Sequence, residues 1–145
     1  MHKAWIMAAA LAVAAGPALA AESIGLIKVS KGSVQIQRGS EKLPAAVGSS
    51  LQAADTIVTG ADGSAGITFT DNSLVSVGPN SVFSIEKYSF DSTTHQGEFA
   101  GNLKQGRLAA VSGKMVKQSP ESMTIRTPSA IMGVRGTEFV VQVEK

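Results

Sequence analysis

The 145-residue sequence contains no cysteine, so neither a disulfide, a thiolate nucleophile nor a thiolate metal site enters its chemistry. Histidine is nearly absent too, with His2 and His95 the two examples. A Ser-His-Asp constellation would have to use His95, and Asp91 and Ser92 crowd it within four residues of one polar stretch. That spacing does not build a rigid triad. One internal histidine cannot close a tetrahedral zinc site without several carboxylates beside it. Aromatic residues make up 5% of the chain, and its 13 basic residues are scattered singly. A nucleic-acid groove needs a concentrated basic stripe, usually interleaved with stacking rings. The sequence pI near 9 therefore does not indicate a nucleic-acid partner.

Long apolar runs are missing as well, except at the start. Met1-His2-Lys3 is a short basic opening, Ala4 to Ala15 is wholly apolar, Gly16-Pro17 breaks the run, and Ala18-Leu19-Ala20 has small-x-small spacing. This is the layout of a secretory signal peptide, too short to remain as a spanning helix. Residues 1–20 are expected to be removed, leaving residues 21–145 as one exported domain, periplasmic or secreted, with no transmembrane segment of its own. Loss of Lys3 brings the formal charge to 12 − 11 = +1.

What is abundant is β-patterning broken by turns. Val34 and Ile36 alternate with polar neighbours, as do Ala65, Ile67 and Phe69. Phe139, Val141 and Val143 share one face of a last strand, opposite Glu138, Val140 and Gln142. Period-two alternation marks half-buried strands. Turns are expected at Lys31-Gly32, Arg38-Gly39-Ser40, Gly60-Ala61-Asp62-Gly63, Asp71-Asn72-Ser73, Gly78-Pro79-Asn80, Gly101-Asn102 and Ser112-Gly113-Lys114, all rich in residues with turn chemistry. Ser89–Gln96 and Lys114–Glu121 read as polar loops, and no window carries a helical apolar stripe. The pattern predicts an all-β single domain of short strands, solenoid-like or sandwich-like.

Several short motifs lose to simpler readings. Ser84-Ile85-Glu86-Lys87 matches the S-x-x-K pattern of acylating enzymes, but that dyad relies on helical spacing and this segment reads as a strand. Gly133-Val134-Arg135-Gly136 has G-x-x-G spacing with no following helix to hold a phosphate. Asp55, Asp62, Asp71 and Asp91 lie in or near turns. Oxygen-rich turns can hold calcium, yet capping of the local backbone is the simpler use of these residues. The expectation is a non-enzymatic protein that needs no cofactor and no metal.

Further motifs appear in a fixed order: Asp55–Gly60 (D-x-I-x-T-G), Asp62-Gly63-Ser64-Ala65, Asp71-Asn72-Ser73, Pro79-Asn80-Ser81, a strand ending in Ser112-Gly113, and a closing Thr127-Pro128-x-Ala130-x-x-Gly133-Val134-Arg135-Gly136-Thr137-x-Phe139. Together they resemble the FecR domain, the periplasmic domain of ferric-citrate-type transport regulators, over about residues 24–143. Three positions depart from that pattern. Gly48-Ser49 and Ala54-Asp55 stand where the family tends to Gly-Asp, and Asp71-Asn72 where it shows Asp-Gly. The resemblance implies an FecR-type fold and a role in contacting or sensing another periplasmic or membrane protein, in envelope signalling. Family regulators carry an anti-sigma segment and a membrane helix ahead of this domain; here a cleavable signal stands in that place. The signature residues expected to bind are Thr127, Pro128, Gly133, Arg135, Gly136 and Thr137, with Asp62, Gly63, Asp71, Pro79 and Asn80 in turns. Arg135 suits either a bridge to carboxylates or a partner-facing anchor. A structural, self-associating surface protein is the alternative.

Overall fold

Alternation with period two becomes strand wherever glycine and Asx residues allow the chain to reverse. In the computed structural model, which describes residues 23–133 and 138–143, twelve strands form one continuous curled sheet. In chain order they are β1 (Gly25–Lys31), β2 (Val34–Arg38), β3 (Glu41–Pro44), β4 (Ser50–Leu51), β5 (Thr56–Thr59), β6 (Ser64–Phe69), β7 (Leu74–Val77), β8 (Val82–Phe90), β9 (Gly97–Val111), β10 (Met123–Arg126), β11 (Ile131–Gly133) and β12 (Glu138–Val143). The signal-peptide segment lies outside the described residues, as do Arg135, Gly136 and Thr137.

The sheet has two wings that share β9. Residues 97–105 of β9 pair with β8 on one side, and Phe99–Asn102 pair with β10 on the other. Residues 106–111 pair with β7 and β12. One wing runs β3-β2-β5-β8-β9-β10-β11, and the second runs β4-β1-β6-β7-β9-β12. All pairings are antiparallel except β9 with β10. The expected all-β body is thus realised as a half-barrel of one curled, almost wholly antiparallel sheet. The wings change over at Gly106, whose φ of 96° is open to glycine and where a Cβ would fall 2.0 Å from Ser81 Oγ.

The core fills the curl. Ile27, Ile67, Phe69, Val75 and Leu108 come from one wing, while Ile36, Ile57, Phe83, Ile85, Phe99 and Ile125 come from the other. The Phe69, Phe99 and Tyr88 rings form edge contacts about Phe99, with centroids 4.9 and 5.6 Å away, a favoured geometry for aromatic packing.

Three sequence expectations need correction. Gly101-Asn102 is no turn: both residues lie within β9, which at fifteen residues is far from short. A Cβ on Gly101 would meet the Phe83 ring at 2.6 Å, so the glycine makes room for a core ring. Lys114–Glu121 is not all loop, since Lys114–Gln118 form a short helix, α1. Its Met115 and Val116 are buried, and two apolar residues in one turn were too brief a signal to register as helical periodicity. Lastly, Ser89 and Phe90 belong to β8, so the second polar loop starts at Asp91.

Candidate functional site

Polar side chains inside this protein hold its corners. Asp55, 1% exposed, follows a reversal at Ala54 and precedes β5. Its Oδ1 accepts from Arg38 Nε at 3.0 Å, and its Oδ2 accepts from Arg38 Nη2 and from the Gln52 amide, each at 2.8 Å. This is the two-pronged guanidinium–carboxylate geometry. The bond to Asp55 raises the Arg38 pKa above its ordinary value, against the guanidinium's own desolvation, and the Asp55 and Glu41 charges add to the rise.

Asp71 is also 1% exposed but has no cation within ion-pair distance among the described residues. Its Oδ2 accepts from Ser73 Oγ at 2.7 Å, and its Oδ1 from the Ser73 amide at 3.0 Å and more weakly from the Tyr88 hydroxyl at 3.4 Å. Thr70 Oγ1 lies 2.7 Å from the Tyr88 oxygen, and Gly113 N–H donates to Ser73 Oγ at 3.1 Å. The Asp71 carbonyl accepts from Lys114 N–H at 2.8 Å, tying α1 to this corner. Burial, the largest effect, pushes the Tyr88 phenol up to about 12; the Thr70 hydrogen bond opposes it.

A third corner joins β5, β8 and β9. Thr59 Oγ1 donates to the Gly78 carbonyl at 2.6 Å and accepts from Ser81 N–H at 2.9 Å, while Ser81 Oγ accepts from Arg107 N–H at 3.0 Å. Pro79 and Asn80 form the turn beside it, Asn80 at φ 51°. Asp62 and Gly63 sit in the turn against Ser33: Asp62 Oδ1 accepts from Ser33 N–H at 3.3 Å, and Gly60 N–H donates to the Ser33 carbonyl at 2.9 Å.

The residues weighed for catalysis have other partners. His95 stands at φ 61°, its amide bonded to the Asp91 carbonyl and its ring stacked on Phe90. Asp91 Oδ1 caps the same loop through the Thr93 and Thr94 amides. Ser84 Oγ lies 2.9 Å from Thr56 Oγ1, and a bulge between Ile85 and Lys87 leaves Glu86 and Lys87 both exposed. Among the described residues no cluster of His, Asp and Glu is arranged to hold a metal ion, and no helix is long and apolar enough to cross a membrane.

The closing signature forms the β10–β11 hairpin. Arg126 pairs with Ile131 in register, and Thr127 to Ala130 make the connection. Thr127 N–H donates to the Ala130 carbonyl at 2.8 Å, and Thr127 Oγ1 accepts from Ala130 N–H at 3.1 Å. Thr127 thus locks the turn with backbone and side chain together, and Pro128 sits in its bend. Gly133 ends β11, where a Cβ would meet nothing within 4 Å among the described residues. At the base of the hairpin, Arg126 pairs with Glu86. Beside the turn, Ile131 is 73% exposed, the most exposed large apolar side chain described. The structure therefore brings together Thr127, Pro128 and Gly133 of the predicted signature, well apart in the chain from the Asp62, Asp71 and Pro79 turns. Sequence reading missed the bonds of Arg38 and Tyr88 to carboxylates 17 positions away and the bond from Gly113 to Ser73, 40 positions apart.

Neither the curated proteins nor the solved structures yielded a match. A family model described as FecR protein matches residues 55–145, 91 of the 145 positions, beginning at the buried Asp55 and taking in all strands from β5 onward. By that match, the chain belongs to the FecR family.

Proposed function

We propose that this FecR-family domain is a non-enzymatic protein-binding or sensing module of the bacterial envelope, exported by residues 1–20 and acting as residues 21–145. Its partner is another periplasmic or membrane protein, in a signalling circuit of the envelope. The observation that carries this reading is the β10–β11 hairpin. Thr127 fixes a rigid turn, and that turn presents Ile131, 73% exposed, on a short strand whose outer edge is unpaired among the described residues. Family membership supplies the envelope context. The buried carboxylates and hydroxyls support the same reading, because they bond to the backbone and to one another. An exposed apolar residue on a preorganised turn is a suitable anchor, since little ordering entropy is lost when it docks.

A photo-reactive amino acid placed at Ile131 tests this in intact cells. The expected result is a discrete adduct with one envelope protein, abolished when Thr127→Ala loosens the turn. Absence of any specific adduct, or retention of the uncleaved chain in the cytosol, overturns it.

A further inference from the structure

We infer that two copies of this chain pair edge to edge through β12, antiparallel about a two-fold axis at Val140, forming one sheet across both molecules. The inference goes beyond the partner-binding role and uses the opposite wing. Strand edges with free amide and carbonyl groups recruit other strands, and proteins normally blunt them. Among the described residues the sheet has four edges, and three are blunted. β3 carries Glu41, Lys42 and Pro44, β4 is two residues long, and β11 is three. β12 is six residues long, has no proline or lysine, and among the described residues pairs on one side only, with β9.

The row that crosses this face is built of small and apolar residues, with Ser76 its polar member. Cross-strand registers place Val29 opposite Gly66, Gly66 opposite Ser76, Ser76 opposite Ala109, and Ala109 opposite Val140. Small residues thus floor a shallow groove of about 400 Å³. Val29 (44%), Leu74 (46%) and Val140 (58%) stand exposed around it. Among the described residues, three of the five exposed large apolar side chains therefore share one face of one wing.

The occupant follows from the sequence of β12, which is self-complementary. Antiparallel pairing centred on Val140 sets Glu138 opposite Gln142 of the other copy, so a carboxylate meets an amide and no like charges face each other. On the inner face the same register sets Phe139 opposite Val141. Phe139 and Val143 are half-buried at the margin of the core, and a second β12 covers them. The row from Val29 to Val140 then continues into its symmetry mate. Such a two-fold contact uses the same patch on both partners and closes on itself.

The absence of cysteine makes a direct test available. In a non-hydrogen-bonded or hydrogen-bonded antiparallel pair, facing Cα atoms lie about 4.5–5.5 Å apart, within disulfide range. Val140→Cys in the purified protein should oxidise rapidly to a disulfide-linked dimer. Leu74→Cys, on the same face but two strands from the edge, should remain monomeric, and its lack of dimer controls for random collision. Sedimentation equilibrium of cysteine-free variants supplies the second arm. Gln142→Glu places like charges opposite each other twice and should weaken the dimer by about tenfold, whereas Gln142→Lys should tighten it. Position 142 is exposed but faces Arg107 across β9, so the urea midpoint of each variant is read beside its dimer constant to separate an effect on the monomer from one on pairing. Equal cross-linking at positions 74 and 140 overturns the inference. So does a monomer at all concentrations, a dimer indifferent to charge at position 142, or capture of a different protein at position 140.

Discussion

Two buried aspartates, equally hidden from solvent, hold two corners of the sheet by different means. Asp55 faces a guanidinium that is itself 32% exposed, whereas Asp71 faces two hydroxyls and an amide. The first corner closes β2 onto the loop before β5, with a partner that remains partly in water. The second joins β6, β7, β8 and α1, and its partners are nearly all inside. A carboxylate stabilised by fixed dipoles is tied to its neighbours more tightly than one held by a flexible cation, because each donor left behind has no access to water.

Removing each carboxylate separates the two cases. Asp71→Ala strands the Ser73 amide, the Ser73 hydroxyl and part of the Tyr88 bonding. At about 1–3 kcal/mol for each buried unsatisfied group, a loss of roughly 4 kcal/mol is expected. Asp55→Ala strands the Gln52 amide but frees Arg38 to turn toward solvent, so roughly 2 kcal/mol is expected. Urea titration of both variants gives the order, and an Asp55 variant less stable than the Asp71 variant would reverse the comparison.

The next effect belongs to pH and to the Asp71 corner. Tyr88 is the one tyrosine in the chain, so the tyrosinate band in the near ultraviolet reports on it alone. Its phenol titrates at about 12 in the folded protein against 10.0 unfolded. The folded state therefore holds the proton more tightly. The stability it contributes is complete below pH 10 and is lost as the pH rises toward 12. Tyr88→Phe should cost about 1 kcal/mol at neutral pH through the lost hydroxyl bonds, and it should flatten the decline in stability between pH 10 and 12. A tyrosinate band with its midpoint at 10 in the folded protein would show that the hydroxyl is not held.

The alternation of Ala65, Ile67 and Phe69 announced β6, and that of Phe139, Val141 and Val143 announced β12, because period two survives into half-buried strands. Turn chemistry was legible for the same local reason at Asp62-Gly63, Asp71-Asn72 and Pro79-Asn80. It failed at Gly101, where glycine answers to the Phe83 ring, a neighbour distant in the chain. The site divided along the same line. The Thr127-Pro128 turn is local, while the bonds from Arg38 to Asp55 and from Tyr88 to Asp71 each span 17 positions and depend on strand register. Nothing in composition or spacing encodes such register.

The smallest expected effect joins both corners to the family pattern. Two of the three departures from the expected FecR pattern put a residue other than glycine in left-handed backbone, Ala54 at φ 73° and Asn72 at 69°, while the third keeps its glycine, Gly48, at 92°. Glycine adopts this region freely and asparagine nearly so, but alanine does so at a cost of about 1 kcal/mol or more. The Asp71 corner thus has a tolerated substitute, and the Asp55 corner carries strain one residue before its carboxylate. Ala54→Gly relieves that strain but enlarges the unfolded ensemble by about 0.4–1 kcal/mol. The net expectation is a gain of at most about 1 kcal/mol, seen as a small rise in the urea midpoint with an unchanged slope. Asn72→Gly should change the midpoint less, because asparagine already fits. A fall in stability for Ala54→Gly would mean that the alanine methyl contributes packing at this corner that outweighs its backbone strain.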